Sequence, residues 1–118
     1  MNMTHLPGFS MVMTCYTQPN FIQEAVRSAL AMEYDGPMEL VIVDDASTDD
    51  SVELIEKTVA DSASHLEVKI VRLAENRGVA GATDAGYAAA KYEWVILLDG
   101  DDVQCPYRLQ KTALRQFL

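Results

Sequence analysis

Three aspartates stand within four residues directly after an apolar run, at Asp99, Asp101 and Asp102 in VILLDGDD. Carboxylates this close together repel one another unless a cation lies among them, and oxygen ligands of this kind suit Mg²⁺ or Mn²⁺. Magnesium often takes only one or two protein carboxylates and completes its sphere with water and substrate phosphate. We therefore predict a divalent metal site here. The alternative is a helix cap, but a cap needs one acid rather than three.

Polar side chains also follow two other apolar runs. Asp44 and Asp45 come after LVIV, and Asp44 is the better candidate to bind a ribose or base because it ends the run, whereas Asp45 is expected to support the turn. Tyr16 could stack on a planar base and Thr14 could bond its edge. Arg77, in ENRG, could meet a phosphate or base. The structural alternatives are a cap for Asp44, packing under a helix for Tyr16 and a solvated loop charge for Arg77.

Four apolar runs predict strands, and each is followed by residues at helical spacing. Alternating strands and helices indicate a parallel sheet covered by helices, because parallel neighbours need a crossover connection. Lys69 and Arg72 favour an edge position for the third strand, and the continuous apolar runs of the second and fourth favour central positions. The predicted strands span residues 9–14, 39–44, 68–73 and 93–98.

The helical patterns add specific expectations. Ser47 or Thr48 is predicted to cap the second helix. A fourth helix is predicted to begin near Pro106, with one side formed by Leu109, Ala113 and Phe117. The third is predicted to pack a face of small and apolar side chains on the sheet, formed by Val79, Ala82, Gly86 and Ala89.

Ligands of such sheets bind beyond the carboxyl ends of the strands, beside the point where strand order reverses. The polar groups that follow strands 1, 2 and 4 are therefore expected to share one rim. Such a rim would bring the predicted metal ligands close to the predicted base-binding side chains.

Composition limits the remaining possibilities. A chain of 118 residues with 49% hydrophobic content predicts one domain, residues 1–118. The net charge of −9 argues against nucleic acid as the main partner. Cys15 and Cys105 make neither a metal-ligand spacing nor a disulfide framework, which favours a reducing compartment. No signal peptide or membrane span is recognisable, so a cytoplasmic location is predicted.

Four stretches together resemble the family-2 glycosyltransferases of the GT-A fold: MVMTCYT, VIVDDASTDDSVELIE, LAENRGVAGATDAGYAAA and VILLDGDDVQCPYRL. The resemblance runs from residue 9 to about residue 117. It implies an α/β Rossmann-like three-layer sandwich with a mainly parallel sheet and strand order 3-2-1-4. It also implies inverting transfer of a sugar from a nucleotide diphospho-sugar, foremost a UDP-sugar, to an acceptor hydroxyl.

Carried over by position, the resemblance implies that Tyr16 and Asp44 hold the base, with Thr14 and Arg77 near it. Asp99 would then lie by the ribose.

The resemblance also implies a metal site in which Asp101 holds Mn²⁺ or Mg²⁺ against the diphosphate, with Asp99 and Asp102 as further ligands. Enzymes of this family continue well past the segment that corresponds to Asp99–Asp102, so we expect this chain to be the donor-binding half of a longer enzyme. The general base is expected beyond Leu118, so no catalytic residue is assigned within the chain. The acceptor site and any tether to the inner face of a membrane would lie in the same missing part.

Several other functions compete with this interpretation. A phosphoryl-accepting receiver domain would need paired acids after strand 1, and a dinucleotide-binding domain would need G-x-G-x-x-G there, but TCYTQPN supplies neither. A phosphatase with a D-x-D nucleophile normally opens with that motif. Thr83 and Asp84 replace the Arg-Asn common in the family, which leaves a non-catalytic nucleotide-binding or scaffold module as the alternative.

Overall fold

A computed structural model describes residues 6–16, 22–32, 34–62 and 66–99. Asp99 is described for its backbone alone. The four strands form one parallel sheet in the order β3-β2-β1-β4, which confirms the predicted fold class and strand order. The elements in chain order are β1 (Phe9–Cys15), α1 (Ile22–Leu30), β2 (Met38–Asp44), α2 (Ser51–Asp61), β3 (Glu67–Arg72), α3 (Gly78–Ala89) and β4 (Trp94–Asp99).

Strand order also separates this fold from a receiver domain. Receivers place the third strand beside the first, whereas here β2 lies between β3 and β1. The third strand is at the edge, as its charged residues predicted. The central position predicted for the fourth strand was wrong for the described sheet, because β4 pairs only with β1 and Leu97 is 52% exposed.

Alternation of side chains along each strand divides the core between the two faces of the sheet. On one face, α1 and α2 cover the larger apolar side chains, which include Phe9, Met11, Met13, Leu40 and Ile42. On the other face, α3 covers a smaller cluster formed by Val12, Val41, Val43 and Ala82. Both faces of β1 and β2 are therefore buried, which accounts for their continuously apolar sequences.

The approach of α3 to the sheet depends on its small residues. A Cβ atom on Gly86 would lie 2.3 Å from Cγ1 of Val12, so a larger side chain could not fit without movement. Ala82 is also buried, and Ala89 is partly buried. The prediction for Val79 was wrong, because this side chain is 73% exposed.

The predicted cap of the second helix was also wrong. Helix α2 begins at Ser51, and its first turn is bonded by Asp49, whose carboxylate accepts the Ser51 amide at 3.0 Å and the Ser51 hydroxyl at 2.6 Å. Ser47 is instead bonded to Asp44, and Ala46 turns the chain with φ 61° before the helix can start. The predicted fourth helix, near Pro106, lies outside the described residues. Within the described ranges, no helix has the length and apolarity needed to cross a membrane.

A buried ionic network closes the amino end of the sheet. Glu39 is fully buried, and its carboxylate accepts the Ser10 hydroxyl at 2.6 Å and the Lys91 amide at 2.7 Å. Its second oxygen lies 3.0 Å from the Lys69 ammonium, which also donates to the Ala89 carbonyl at 2.9 Å. Burial alone would raise the pKa of Glu39, but these hydrogen bonds and the Lys69 charge lower it overall. The network therefore ties the end of α3 to three strands.

Substitution of the buried acid tests this network. We expect Glu39→Gln to lower the free energy of unfolding by about 2 kcal/mol, because the amide loses the charge that Lys69 and the Ser10 hydroxyl are arranged around. Urea denaturation at neutral pH measures the change. Glu67→Gln is the matched control: the Glu67–Lys91 pair lies on the surface with both side chains about half exposed, and its loss should cost less than about 0.5 kcal/mol.

The contribution of Glu39 to the free energy of unfolding depends on pH. Because the pKa of Glu39 is lowered in the folded protein from its ordinary 4.5, the carboxylate stabilises the fold fully above that pH and progressively less as pH falls through the lowered pKa. The stability difference between wild type and Glu39→Gln should therefore shrink below about pH 4. A difference that stays constant as pH falls would contradict this assignment.

Candidate functional site

The carboxyl ends of β1, β2 and β4 lie side by side at one edge of the sheet. Cys15 pairs with Asp44 across β1 and β2, and Thr14 pairs with Asp99 across β1 and β4. The chain moves outward from β1 to β3 and then returns to the other side of β1, so strand order reverses between β1 and β4. The expected convergence of these strand ends, at the reversal point where such sheets bind ligands, is confirmed.

Asp44 is held by its own turn. Its Oδ1 accepts the Ser47 hydroxyl at 2.5 Å and the Cys15 thiol at 3.6 Å, and its Oδ2 accepts the Ser47 amide at 3.0 Å. The residue is only 2% exposed. A carboxylate oxygen can accept two hydrogen bonds, so Oδ2 keeps acceptor capacity for a ligand that approaches from the rim.

The Cys15 thiol is part of this arrangement, which sequence reasoning missed. Burial raises the pKa of Cys15 to about 12, helped by the negative charge of Asp44 and by the bond to it. At neutral pH the group is therefore a protonated thiol that donates to Asp44, which makes it a poor nucleophile. The sequence held one indication of this contact, because both residues stand at the ends of predicted strands. When β1 and β2 pair in the observed parallel register, Cys15 lies opposite Asp44.

Asp45 binds a different part of the chain from its neighbour. Its carboxylate accepts the Arg77 amide at 2.7 Å and the Gly78 amide at 2.9 Å, and its carbonyl accepts the Asn76 side-chain amide at 3.3 Å. Asp45 was expected to support the turn after β2, but its side chain secures the start of α3 instead. A carboxylate at a helix amino terminus is favoured by the unpaired amides and the helix dipole.

The other predicted base-binding residues lie around these two acids. Tyr16 directly follows β1 and is 47% exposed, and Arg77 is exposed at the start of α3. Thr14 is partly buried within β1. By strand alternation Thr14 belongs to the α3 face, whereas Asp44 belongs with Cys15 to the opposite face. The structure thus gathers the strand ends at one edge but divides their side chains between two faces.

The predicted metal ligands fall largely outside the described part of the chain. Asp101 and Asp102 are not described, and Asp99 is described for its backbone alone. Among the described residues, no group of three or more His, Cys, Asp or Glu side chains could hold a metal ion. Asp44 and Asp45 each use both carboxylate oxygens within the protein. The metal site at Asp99, Asp101 and Asp102 therefore stays a prediction.

Comparison with known proteins identifies relatives along nearly the whole chain. Residues 10–115 match the family described as Glycosyl transferase family 2. Poly-beta-1,6-N-acetyl-D-glucosamine synthase of Staphylococcus aureus is 33% identical over 109 residues, which cover 90% of this chain and 25% of the synthase. Succinoglycan biosynthesis protein ExoO of Rhizobium meliloti is 36% identical over 110 residues, 93% of this chain and 30% of ExoO. The chain thus spans between 25% and 30% of the length of these two relatives.

Two solved structures have the same fold. TarS 1-349 of S. aureus in complex with UDP-GlcNAc superposes with a TM-score of 0.77 at 27% identity, covering 90% of this chain and 30% of that one. The mannosyltransferase PcManGT of Pyrobaculum calidifontis, in complex with GDP-Man and Mn²⁺, superposes with a TM-score of 0.80 at 25% identity. That match covers 92% of this chain and 32% of the mannosyltransferase.

The state of the Cys15 thiol can be measured directly. A rise in pKa from 9.0 to about 12 lowers the thiolate fraction at neutral pH about 1000-fold. We expect iodoacetamide to alkylate Cys15 at least about 100-fold more slowly in the native protein than in urea, as followed by peptide mass spectrometry that separates it from Cys105. Comparable rates in the two states would show that the thiol is neither buried nor bonded to Asp44.

Proposed function

The chain belongs to glycosyl transferase family 2, and we propose that it binds a nucleotide diphospho-sugar, foremost a UDP-sugar, for inverting transfer of the sugar to an acceptor hydroxyl. One observation carries the proposal: the ends of β1, β2 and β4 meet at the reversal point of the sheet. Residue types suited to a nucleotide occur in the sequence at each of these ends.

Each proposed role follows from the chemistry of the side chain. The half-exposed ring of Tyr16 offers a surface on which a base can stack. The remaining acceptor capacity of Asp44 suits a base N–H such as that of uracil, and Thr14 can bond the base edge. We assign Arg77 to the base or the diphosphate and Asp99 to the ribose, as the resemblance to the family implies. TarS in complex with UDP-GlcNAc and PcManGT in complex with GDP-Man support a nucleotide-sugar donor for this fold.

The proposed metal site consists of Asp101, with Asp99 and Asp102 as further ligands, and Mn²⁺ or Mg²⁺ as the ion. Oxygen donors closely spaced around Gly100 suit such ions. The Mn²⁺ in the PcManGT complex supports this choice of ion. The amides of Arg77 and Gly78 at the start of α3 are bonded to Asp45, so they are not free to bind a phosphate in place of a metal. A bound divalent ion would offset the charge that develops on the departing diphosphate.

We further propose that residues 1–118 form one donor-binding domain. Its relatives are three to four times as long, which leaves room elsewhere for an acceptor site. The carboxylate that takes the proton from the attacking hydroxyl would belong to that other part, so the chain alone should bind donor with little turnover.

Nucleotide titration tests the proposal. We expect UDP, compared with GDP and ADP by calorimetry, to bind the chain in the presence of Mn²⁺ and about tenfold more weakly without it, because the ion screens the diphosphate. Asp101→Asn should remove most of the Mn²⁺ dependence. Asp61→Asn, which removes the same charge at the exposed end of α2, is the control.

Two results would count against it. Absence of binding to all three diphosphates would reject the nucleotide site. Binding of equal strength with and without Mn²⁺, unchanged by Asp101→Asn, would reject the metal site while retaining a nucleotide-binding module.

A further inference from the structure

The backbone of Arg77 is fixed to the rim by a residue that is distant in sequence. Asp45 accepts the amides of Arg77 and Gly78 on its two carboxylate oxygens, at 2.7 and 2.9 Å. Asp45 is itself 4% exposed, and its amide donates to the Cys15 carbonyl at 2.9 Å. Asn76 adds a bond from its side chain to the Asp45 carbonyl at 3.3 Å. The turn that carries Arg77 is thereby connected to the ends of both β1 and β2.

The side chain of Arg77 is constrained separately. A Cβ atom on Gly81 would lie 2.5 Å from Cβ of Arg77, and 3.5 Å from its Cγ and Cδ. Separations below 3.0 Å do not occur between such atoms, and Cβ cannot move without its backbone. The absence of a side chain at Gly81 therefore provides the space in which the aliphatic part of Arg77 lies, against the first turn of α3.

We propose that Asp45 and Gly81 act together as positioning residues for Arg77, so that its guanidinium is pre-organised to bind a nucleotide diphosphate. Asp45 fixes the backbone of Arg77, and the lack of a side chain at Gly81 leaves space for the side chain of Arg77. The inference rests on the proposed function, because it takes Arg77 to be a nucleotide-binding residue.

Two physical effects make this arrangement useful. A free arginine side chain has many rotamers, and immobilising it on binding opposes affinity. Fixing the backbone and one side of the aliphatic part of Arg77 means that part of this conformational entropy is already lost before the ligand binds. Asp45 also satisfies the two amides that an anion could otherwise approach, so an incoming phosphate meets the guanidinium instead of the amino end of α3.

A double-mutant cycle on the full chain tests the inference. UDP affinity with saturating Mn²⁺ is measured by calorimetry for wild type, Arg77→Gly, Asp45→Asn and Gly81→Ala, and for Arg77→Gly combined with each of the other two. Arg77→Gly is used because it removes the guanidinium together with the Cβ atom that approaches Gly81. We expect each single substitution to weaken UDP binding about tenfold. The double variants should bind no more weakly than Arg77→Gly, because no guanidinium remains to be misplaced.

Two controls separate positioning from folding and from charge. Gly81→Ala introduces a better helix former, so a loss of affinity with retained circular dichroism and an unchanged melting temperature does not reflect unfolding. Asp50→Asn removes the same charge as Asp45→Asn from an exposed residue whose side chain makes no capping hydrogen bond, and its UDP affinity should stay within about twofold of wild type.

The outcomes distinguish this inference from the function on which it rests. If Arg77→Gly weakens binding but Asp45→Asn and Gly81→Ala do not, the positioning role is overturned and the nucleotide site stands. The positioning role is also overturned if Asp45→Asn and Gly81→Ala weaken binding as much in the Arg77→Gly background as in wild type. If wild type binds neither UDP nor GDP with Mn²⁺, the proposed function fails and the inference fails with it.

Discussion

The arrangement of the rim depends on the alternation of side chains at the end of β2. Successive residues of a strand point to opposite faces, so the adjacent carboxylates of Asp44 and Asp45 cannot share one environment. Asp44 lies with Cys15 and Ser47 on the face covered by α1 and α2, and Asp45 lies with the start of α3 on the other. Two neighbouring negative charges are thereby separated, and each is satisfied by donors from a different part of the chain.

The two ends of the sheet use buried carboxylates differently. At the amino end, one oxygen of Glu39 is paired with Lys69 and the other accepts two hydrogen bonds, so the charge is neutralised within the protein. At the carboxyl end, the described donors to the Asp44 and Asp45 carboxylates are neutral, namely amides, a hydroxyl and a thiol. Within the described part of the chain, neither acid forms an ion pair that offsets its charge.

Sequence reasoning recovered what depends on local periodicity and missed what depends on contacts between distant residues. The four strands lie within a residue of their predicted bounds, because buried parallel strands have unmistakable apolar runs. The cap of α2 was misplaced because Asp44 binds Ser47, and Val79, which helical spacing assigned to the sheet-facing side of α3, is exposed. The bond between Asp45 and Gly78 joins residues 33 apart, and no spacing rule predicts it. The full strand order came from resemblance to a family, whereas the candidate ligand roles were first predicted from side-chain chemistry at the strand ends.

The starts of α2 and α3 differ from the helix terminus that binds pyrophosphate in related folds. In dinucleotide-binding sheets of the same strand order, pyrophosphate lies against amides at a helix amino terminus. Here the start of α3 is occupied by Asp45, and the start of α2 carries Asp49 and Asp50. Neither terminus offers a phosphate unopposed positive charge. The metal ion proposed to bind the aspartates after β4 would supply positive charge that these two termini do not.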